Sequence, residues 1–212
     1  MEGRWSGSLP TMTSPATENT PPTRRTRGRE ERRDRVYAAA VELFVERGFD
    51  DTSMDDVATR SGLARTTVFN HFPRKSLLLE EWSGRRRRRA AGTLSDVGAT
   101  DRPLRELLDR YLAALAALNV EARPETSALM ATALRHGDAL LGHTLGQDLA
   151  DLVAASEARL RPTVDAAQVG RLIALGYYSA VIRWVHVDPE PFALGTELSG
   201  ILELVLSGAL AD

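Results

Sequence analysis

Residues 51–75 read DTSMDDVATRSGLARTTVFNHFPRK, and the fold turns on how this stretch divides. Ser53 with Asp56 three residues later is the pattern of a capping box. The serine oxygen accepts from an orphan backbone N–H of the first turn, and the acidic side chain reaches back to the serine amide. The pattern predicts a short helix, Met54 to Ser61, that buries Met54, Val57 and Ala58. Gly62 breaks it, because glycine enters the left-handed backbone of a tight turn without a Cβ clash. A second short helix runs from Arg65 to Phe72. Pro73 stops it by removing a backbone donor and crowding the preceding turn. Two short helices joined by a glycine-containing turn form a helix-turn-helix unit.

Such a pair needs a third apolar surface. From Arg29 to Arg47 the residues Val36, Ala40, Leu43 and Phe44 recur at helical spacing, and Gly48 follows as a helix-ending residue. This first helix of about 18 residues gives Leu63, Val68 and Phe72 something to pack on. Ala58 is small and allows a close crossing. Ser76 then opens a longer fourth helix through Leu77, Leu78, Leu79 and Trp82. Five further helices are expected near 103–119, 125–136, 144–160, 165–187 and 191–210, punctuated by Pro103, Pro124, Pro162, Pro189 and Pro191. The chain thus reads as all-α, with about nine helices and no sheet. A three-helix DNA-binding domain at 28–75 precedes an effector-binding and dimerisation domain at 76–212. Residues 1–27 are rich in Ser, Thr, Pro, Gly and Arg and read as a disordered basic arm ending in Arg24, Arg25, Arg27 and Arg29.

With Val68 and Phe72 inward, the other face of the third helix presents Arg65, Thr66, Thr67, Phe69, Asn70 and His71. Arginine grips guanine edges in pairs of hydrogen bonds, asparagine suits adenine, and the threonine methyl suits that of thymine. Thr52, Ser53 and Lys75 flank this face as candidate clamps on the phosphate backbone. Double-stranded DNA is therefore the expected partner. The charge distribution agrees. Residues 1–90 hold 18 Lys/Arg against 13 Asp/Glu, and residues 91–212 hold 9 against 16, so a basic front sits on an acidic body.

Other functions find less support. With no cysteine, disulfides, thiolate metal sites and cysteine nucleophiles are excluded. No glycine-rich phosphate loop, nucleophile elbow or His/carboxylate cluster is present, so no catalytic residue, cofactor or metal is expected and the chain does not read as an enzyme. His136, His143 and His186 read as structural or solvent-exposed. No apolar run is long enough to span a bilayer, and a cytoplasmic location is expected.

From Val36 to Leu78 the sequence resembles the TetR family of bacterial regulators. The resemblance lies in Ala39-Ala40-Val41-Glu42-Leu43-Phe44, Gly48-Phe49, Thr52-Ser53-Met54-Asp55-Asp56-Val57-Ala58 and the run from Gly62 to Lys75, ending in Phe72-Pro73-Arg74-Lys75. It implies an all-helical homodimer that reads a pseudo-palindromic operator, a variable C-terminal domain that binds a small effector, and release of DNA when that effector binds. Two positions depart from the pattern. Ala64 stands where the family usually caps the third helix with Ser or Thr, and Phe69 and His71 stand where it often has Tyr.

The resemblance also implies that the last two helices pair with their symmetry mates as a four-helix bundle. Ile173, Tyr177, Val181, Trp184, Leu198, Ile201, Leu202 and Val205 are the expected interface, with Gly170, Gly176 and Gly200 permitting close approach. An effector pocket is expected among helices four to eight, lined by Trp82, Leu108, Tyr111, Leu112, Leu115, Met130, Leu134, Leu149 and Tyr178. Such walls suit an apolar or amphipathic ligand. A DNA-binding regulator or architectural protein with no small-molecule effector is the alternative. The run Arg85–Arg89 reads as a solvated connector paired with Glu80, Glu81 and acidic residues of the body, in preference to a phosphate or anionic-effector site.

Overall fold

Two glycines in the left-handed region, Gly48 (φ 88°) and Gly62 (φ 64°), divide the N-terminal helices in this computed structural model. The structure describes residues 24–95, 102–135 and 144–211. Within them lie α1 (Arg24–Arg47), α2 (Met54–Ser61), α3 (Arg65–His71), α4 (Ser76–Ser95), α5 (Leu104–Glu121), α6 (Arg123–Arg135), α7 (Thr144–Ala155), α8 (Ala166–His186) and α9 (Leu194–Ala209). No strand occurs among the described residues. A lone antiparallel bridge, Leu160 to Leu210, ties the end of α9 to the segment before α8.

The helix-turn-helix forms by the local rules its sequence announces. The Ser53 hydroxyl accepts from the Asp56 amide and the Asp56 carboxylate accepts from the Ser53 amide. At the other end of α2, the amides of Gly62 and Leu63 donate to Thr59 and Ala58. Val36, Ala40, Leu43 and Phe44 of α1 are buried against Val57, Ala58, Val68 and Phe72. Arg35 crosses from α1 to donate to the Ser61 carbonyl at 2.7 Å, covering an acceptor at the end of α2.

The first helix differs from expectation at its start. It begins at Arg24, so Arg24, Arg25 and Arg27 stand on a helix and do not belong to an arm. Most of the expected arm, together with His136 and His143, lies outside the described residues.

α4 leads from the helix-turn-helix into the body, where α8 packs between α7 and α9, and α9 lies against α5. The tightest crossing is at Gly170 of α8, where a Cβ would stand 2.2 Å from the Gly146 carbonyl oxygen and 2.7 Å from the Ala150 amide of α7. At Gly176, a Cβ would stand 2.5 Å from Ile201 of α9. These two glycines therefore serve contacts within one chain. Of the three expected at a dimer interface, only Gly200 faces open space.

The expected interface residues need the same correction. Ile173, Tyr177, Val181, Trp184, Leu198 and Leu202 are buried in the chain's own core, because α8 and α9 turn their richest apolar faces towards α5, α6 and α7. Ile201 and Val205 are half-buried. The apolar residues left outside are others: Leu172 (56% exposed) and Leu175 (53%) on α8, and Leu204 (75%) on α9.

Gly170→Ala should force backbone apart and cost about 1–3 kcal/mol. Gly92→Ala, within α4 and with nothing near its Cβ, should stabilise by about 0.5–1 kcal/mol. Denaturant unfolding of the two variants beside the parent measures both.

Candidate nucleic-acid interface

α3 is held from behind. Val68 and Phe72 are fully buried. The Arg33 guanidinium of α1 donates to the His71 carbonyl at 3.1 Å and lies 4.3 Å from the Phe72 ring centre. Ala64 precedes the helix without a side-chain cap, so its first turn lacks the hydrogen bond that Ser or Thr would give.

The outward face carries the residues the sequence singles out. Arg65, Thr66 and Asn70 are exposed, while Thr67, Phe69 and His71 are half-buried. Arg65 lies over the Phe69 ring at 5.3 Å and pairs with Asp55 of α2 at 3.0 Å. Both charges are mostly in water, so this pair orients Arg65 at little cost to its release. Phe69 provides a platform under that guanidinium. Burial comes first in holding the His71 imidazole below its ordinary pKa of 6.5, and the nearby Arg29, Arg32 and Arg33 add to it. The ring is therefore mostly neutral at pH 7.

Of the three expected backbone clamps, two face inward. Thr52 is buried, and its hydroxyl donates to the Gly48 carbonyl at 2.8 Å. Lys75 points its ammonium at the carbonyls of Phe49 (2.6 Å) and Thr52 (2.8 Å), 4.3 Å from the Phe49 ring centre. The reason is local. The end of α1 and the turn after it leave carbonyls without helical partners, and these two side chains supply the donors. Both hold the α1–α2 corner in shape, and their side chains are not presented to a ligand. Ser53 is exposed, with its hydroxyl engaged in the α2 cap.

The arginine run on α4 is paired throughout. Arg85 binds Asp34 of α1 and Glu81; Arg86 binds Glu125; Arg87 binds Asp148; Arg88 binds Glu81; Arg89 binds Glu121. Arg86 is only 11% exposed, and its guanidinium also reaches the Leu118 carbonyl and the Asn119 side chain. The Asn119 amide in turn donates to the Tyr177 hydroxyl of α8. The pairing with Glu81 and acidic residues of the body is as the sequence suggests, but the buried links from Arg86 through Asn119 to Tyr177 are not, since these partners lie some 30 to 60 residues apart and no local pattern announces them.

The expected effector lining splits. Trp82, Leu115, Met130 and Tyr178 do surround one internal cavity, together with Leu145 and Tyr177, but it holds only about 20 Å³, room for a single water. Leu108, Tyr111, Leu112 and Leu149 are buried and do not line it. Leu134 lies on α6, with a side chain outside the described residues. A larger groove of about 600 Å³ opens beside the cavity, between the end of α3 and α4, where His71, Arg74, Leu77 and Arg88 form part of its wall. Ser83, Arg87 and Ala133 are common to both. Among the described residues no helix is long and apolar enough to cross a membrane, and no His, Cys, Asp and Glu group could hold a metal ion.

Comparison with known proteins fits this geometry. Residues 36–82 match the bacterial regulatory proteins of the tetR family. The HTH-type transcriptional activator FasR of Mycolicibacterium smegmatis is 40% identical over 47 residues, which span 22% of each chain. IcaR of Staphylococcus aureus, the negative regulator of a biofilm operon, is 31% identical over 49 residues, 23% of this chain and 26% of its own. The chain thus matches about a quarter or less of these curated relatives' length. The likeness of fold extends much further. The Thermus thermophilus repressor FadR, solved with lauroyl-CoA, aligns with a TM-score of 0.63 at 25% identity, over 85% of this chain and 96% of that one. A Rhodococcus TetR-family regulator aligns with a TM-score of 0.62 at 21% identity, over 83% and 98%.

Ala64→Ser should restore the missing cap and stabilise the protein by about 0.5–1 kcal/mol in thermal or denaturant unfolding. His71 should titrate below 6.5 by NMR, and R29Q/R32Q should move it up without reaching the ordinary value, because burial remains. Residues 36–82 thus carry the helix-turn-helix of the bacterial regulatory proteins of the tetR family, and the chain as a whole has the fold of solved TetR-family regulators.

Proposed function

We propose that the chain is a sequence-specific transcriptional repressor of a bacterial cell's cytoplasm, bound to a pseudo-palindromic DNA operator as a homodimer and released by a small, largely apolar effector. Residues 24–75 are the DNA-binding domain, and residues 76–212 carry the effector and dimer functions. The observation that carries this reading is the outer face of α3, where Arg65, Thr66, Thr67, Phe69, Asn70 and His71 stand on a helix braced by Val68, Phe72 and Arg33. Rigid placement of a few base-reading side chains is what major-groove recognition requires.

The dimer reading rests on Leu172, Leu175 and Leu204. Gly176 abuts Ile201, so the exposed stripes of α8 and α9 run side by side and offer one apolar surface to a second copy. Two recognition helices per dimer then engage half-sites about one helical turn apart, some 34–36 Å.

Repression and effector release draw support from FadR, a repressor solved with lauroyl-CoA. The groove between α3 and α4 supplies room for a ligand beside a small, largely apolar cavity. The small size of that cavity favours a second reading, a DNA-binding regulator with no small-molecule effector.

Selection of bound duplexes from a random pool should enrich a palindrome, and failure to enrich any overturns the proposal. Arg65→Ala or Asn70→Ala should weaken the enriched site by about 1–3 kcal/mol and relax its base preference. Leu175→Glu/Leu204→Glu should give a folded monomer by light scattering, with operator affinity reduced on the order of tenfold or more. A metabolite screen for DNA release separates the two readings, since the effector-free one gives no hit.

A further inference from the structure

α1 is longer than its core requires. Its buried residues begin at Val36, yet the helix starts at Arg24, so roughly 18 Å of it projects beyond the packed part. This projection holds Arg24, Arg25, Arg27, Arg29, Arg32, Arg33 and Arg35 against Glu30, Glu31 and Asp34. Its first turn contains no acidic residue. Arginines crowded at the positive end of a helix dipole are unfavourable without an anion nearby.

The charges are sorted around the helix. At about 100° per residue, Arg25, Arg29 and Arg32 fall in line with Val36, while Glu30 and Glu31 fall towards the opposite side. The stripe therefore continues the inward-facing side of α1 past the point where the core ends. It leads to the C-terminal end of α3, since the charges of Arg29 and Arg32 are felt at His71. Arg33, the next basic residue, is engaged with Glu81 and the His71 carbonyl. Arg25, Arg29 and Arg32 form no ion pair among the described residues. Here an exposed positive ridge approaches the His71 end of α3.

We propose that Arg25, Arg29 and Arg32 bind the sugar-phosphate backbone of the operator beside the half-site read by α3. The proposal rests on the DNA-binding function above and adds to it a second, sequence-independent contact surface. The stripe from Arg25 to Arg32 is about 10 Å long, which matches the axial rise of about three phosphates along one strand. The guanidinium fork suits phosphate oxygens. Such contacts set register and affinity while leaving base preference to α3.

The test is the salt dependence of binding by the full chain to its enriched operator and to a random duplex. Each phosphate contact contributes about 0.9 to the slope of log K against log salt. In R25Q/R29Q/R32Q the slope should fall by about 2.7 per bound protomer, with affinity for both duplexes reduced and the order of base preference unchanged. Lysine at the same three positions should restore most of the slope. R24Q/R27Q, on other sides of α1, should change it little. Circular dichroism should show the same helix content in every variant. A folded triple variant with the parent's slope overturns the assignment, as does an equal loss in R24Q/R27Q, which would make the effect one of net charge. In both cases the parent still binds its palindrome, so the proposed function stands. Absence of any duplex binding by the parent overturns both.

Discussion

The Glu81 carboxylate joins the two halves of this molecule. It sits on α4 at the domain junction, largely shielded from solvent, and accepts Arg33 from α1 at 2.9 Å and Arg85 at 2.8 Å, with Arg88 at 3.3 Å. Burial alone would raise its pKa, but the hydrogen bonds from Arg33 and Arg85 outweigh it and hold the carboxyl below its ordinary value. Each partner has a second attachment. Arg33 also holds the end of α3 through the His71 carbonyl. Arg85 also binds Asp34 at 2.5 Å and lies 4.0 Å from the Tyr37 ring centre on α1. The angle between the recognition helix and α4 is thus set by one carboxylate and two forked cations, a geometry in which a small displacement breaks several contacts together.

Beyond that junction α4 is tied to the body by the rest of the same arginine run. Arg86 stacks on Trp82 and binds Glu125 of α6, and its contacts to Leu118 and Asn119 reach α5. Arg87 binds Asp148 of α7, whose carboxylate also accepts from the Tyr111 hydroxyl. Burial, then Asp148, pushes the Tyr111 phenol far above its ordinary pKa, so it remains a donor at any physiological pH. Buried polar networks of this kind fix one arrangement of helices more strictly than apolar contact does, although the buried Arg87 Nε finds no partner. Five consecutive arginines occupy every side of a helix, and here Arg85, Arg86, Arg87 and Arg89 each meet a carboxylate on a different neighbour, while Arg88 pairs with Glu81 of α4 itself.

What the sequence made legible follows interaction range. The capping box at Ser53 and Asp56, the Gly62 turn and the Pro73 stop are contacts within a few residues, and they place α2 to the residue and α3 to within one, since it ends at His71 and not Phe72. The start of α1 was harder to read. The composition of residues 24–28 is polar and argues for coil, but the segment continues a helix already nucleated from Val36 onward, and extension of an existing helix is far easier than nucleation. Thr52 and Lys75 resembled clamps because polar residues beside a reading face commonly meet phosphate. Only the tertiary fold brings Lys75 over the carbonyls of Phe49 and Thr52. Most residues expected at a dimer face of α8 and α9 are instead buried in the chain's own core, for a related reason. Both helices are apolar over more than half their circumference, and periodicity does not say which apolar stripe the chain covers itself.

The pairing of charges separates structural arginines from those available for binding. Arg33, Arg60 and Arg85–Arg87 each meet a carboxylate within 3.3 Å and lock helices together. Arg25, Arg29 and Arg32 lie ahead of that lattice, and Arg65 is held only by a solvated pair that DNA can displace. The same lattice constrains how a ligand could act. The cavity lined by Trp82 and Met130 cannot widen towards α4 without moving Trp82, whose indole donates to Glu125 at 2.5 Å and lies beneath Arg86. Trp82 follows Glu81 in the chain, so displacing its ring strains the junction that orients α3. In the proposed repressor, occupancy of the body and release of DNA are therefore coupled through adjacent residues of one helix, with no need for a longer path.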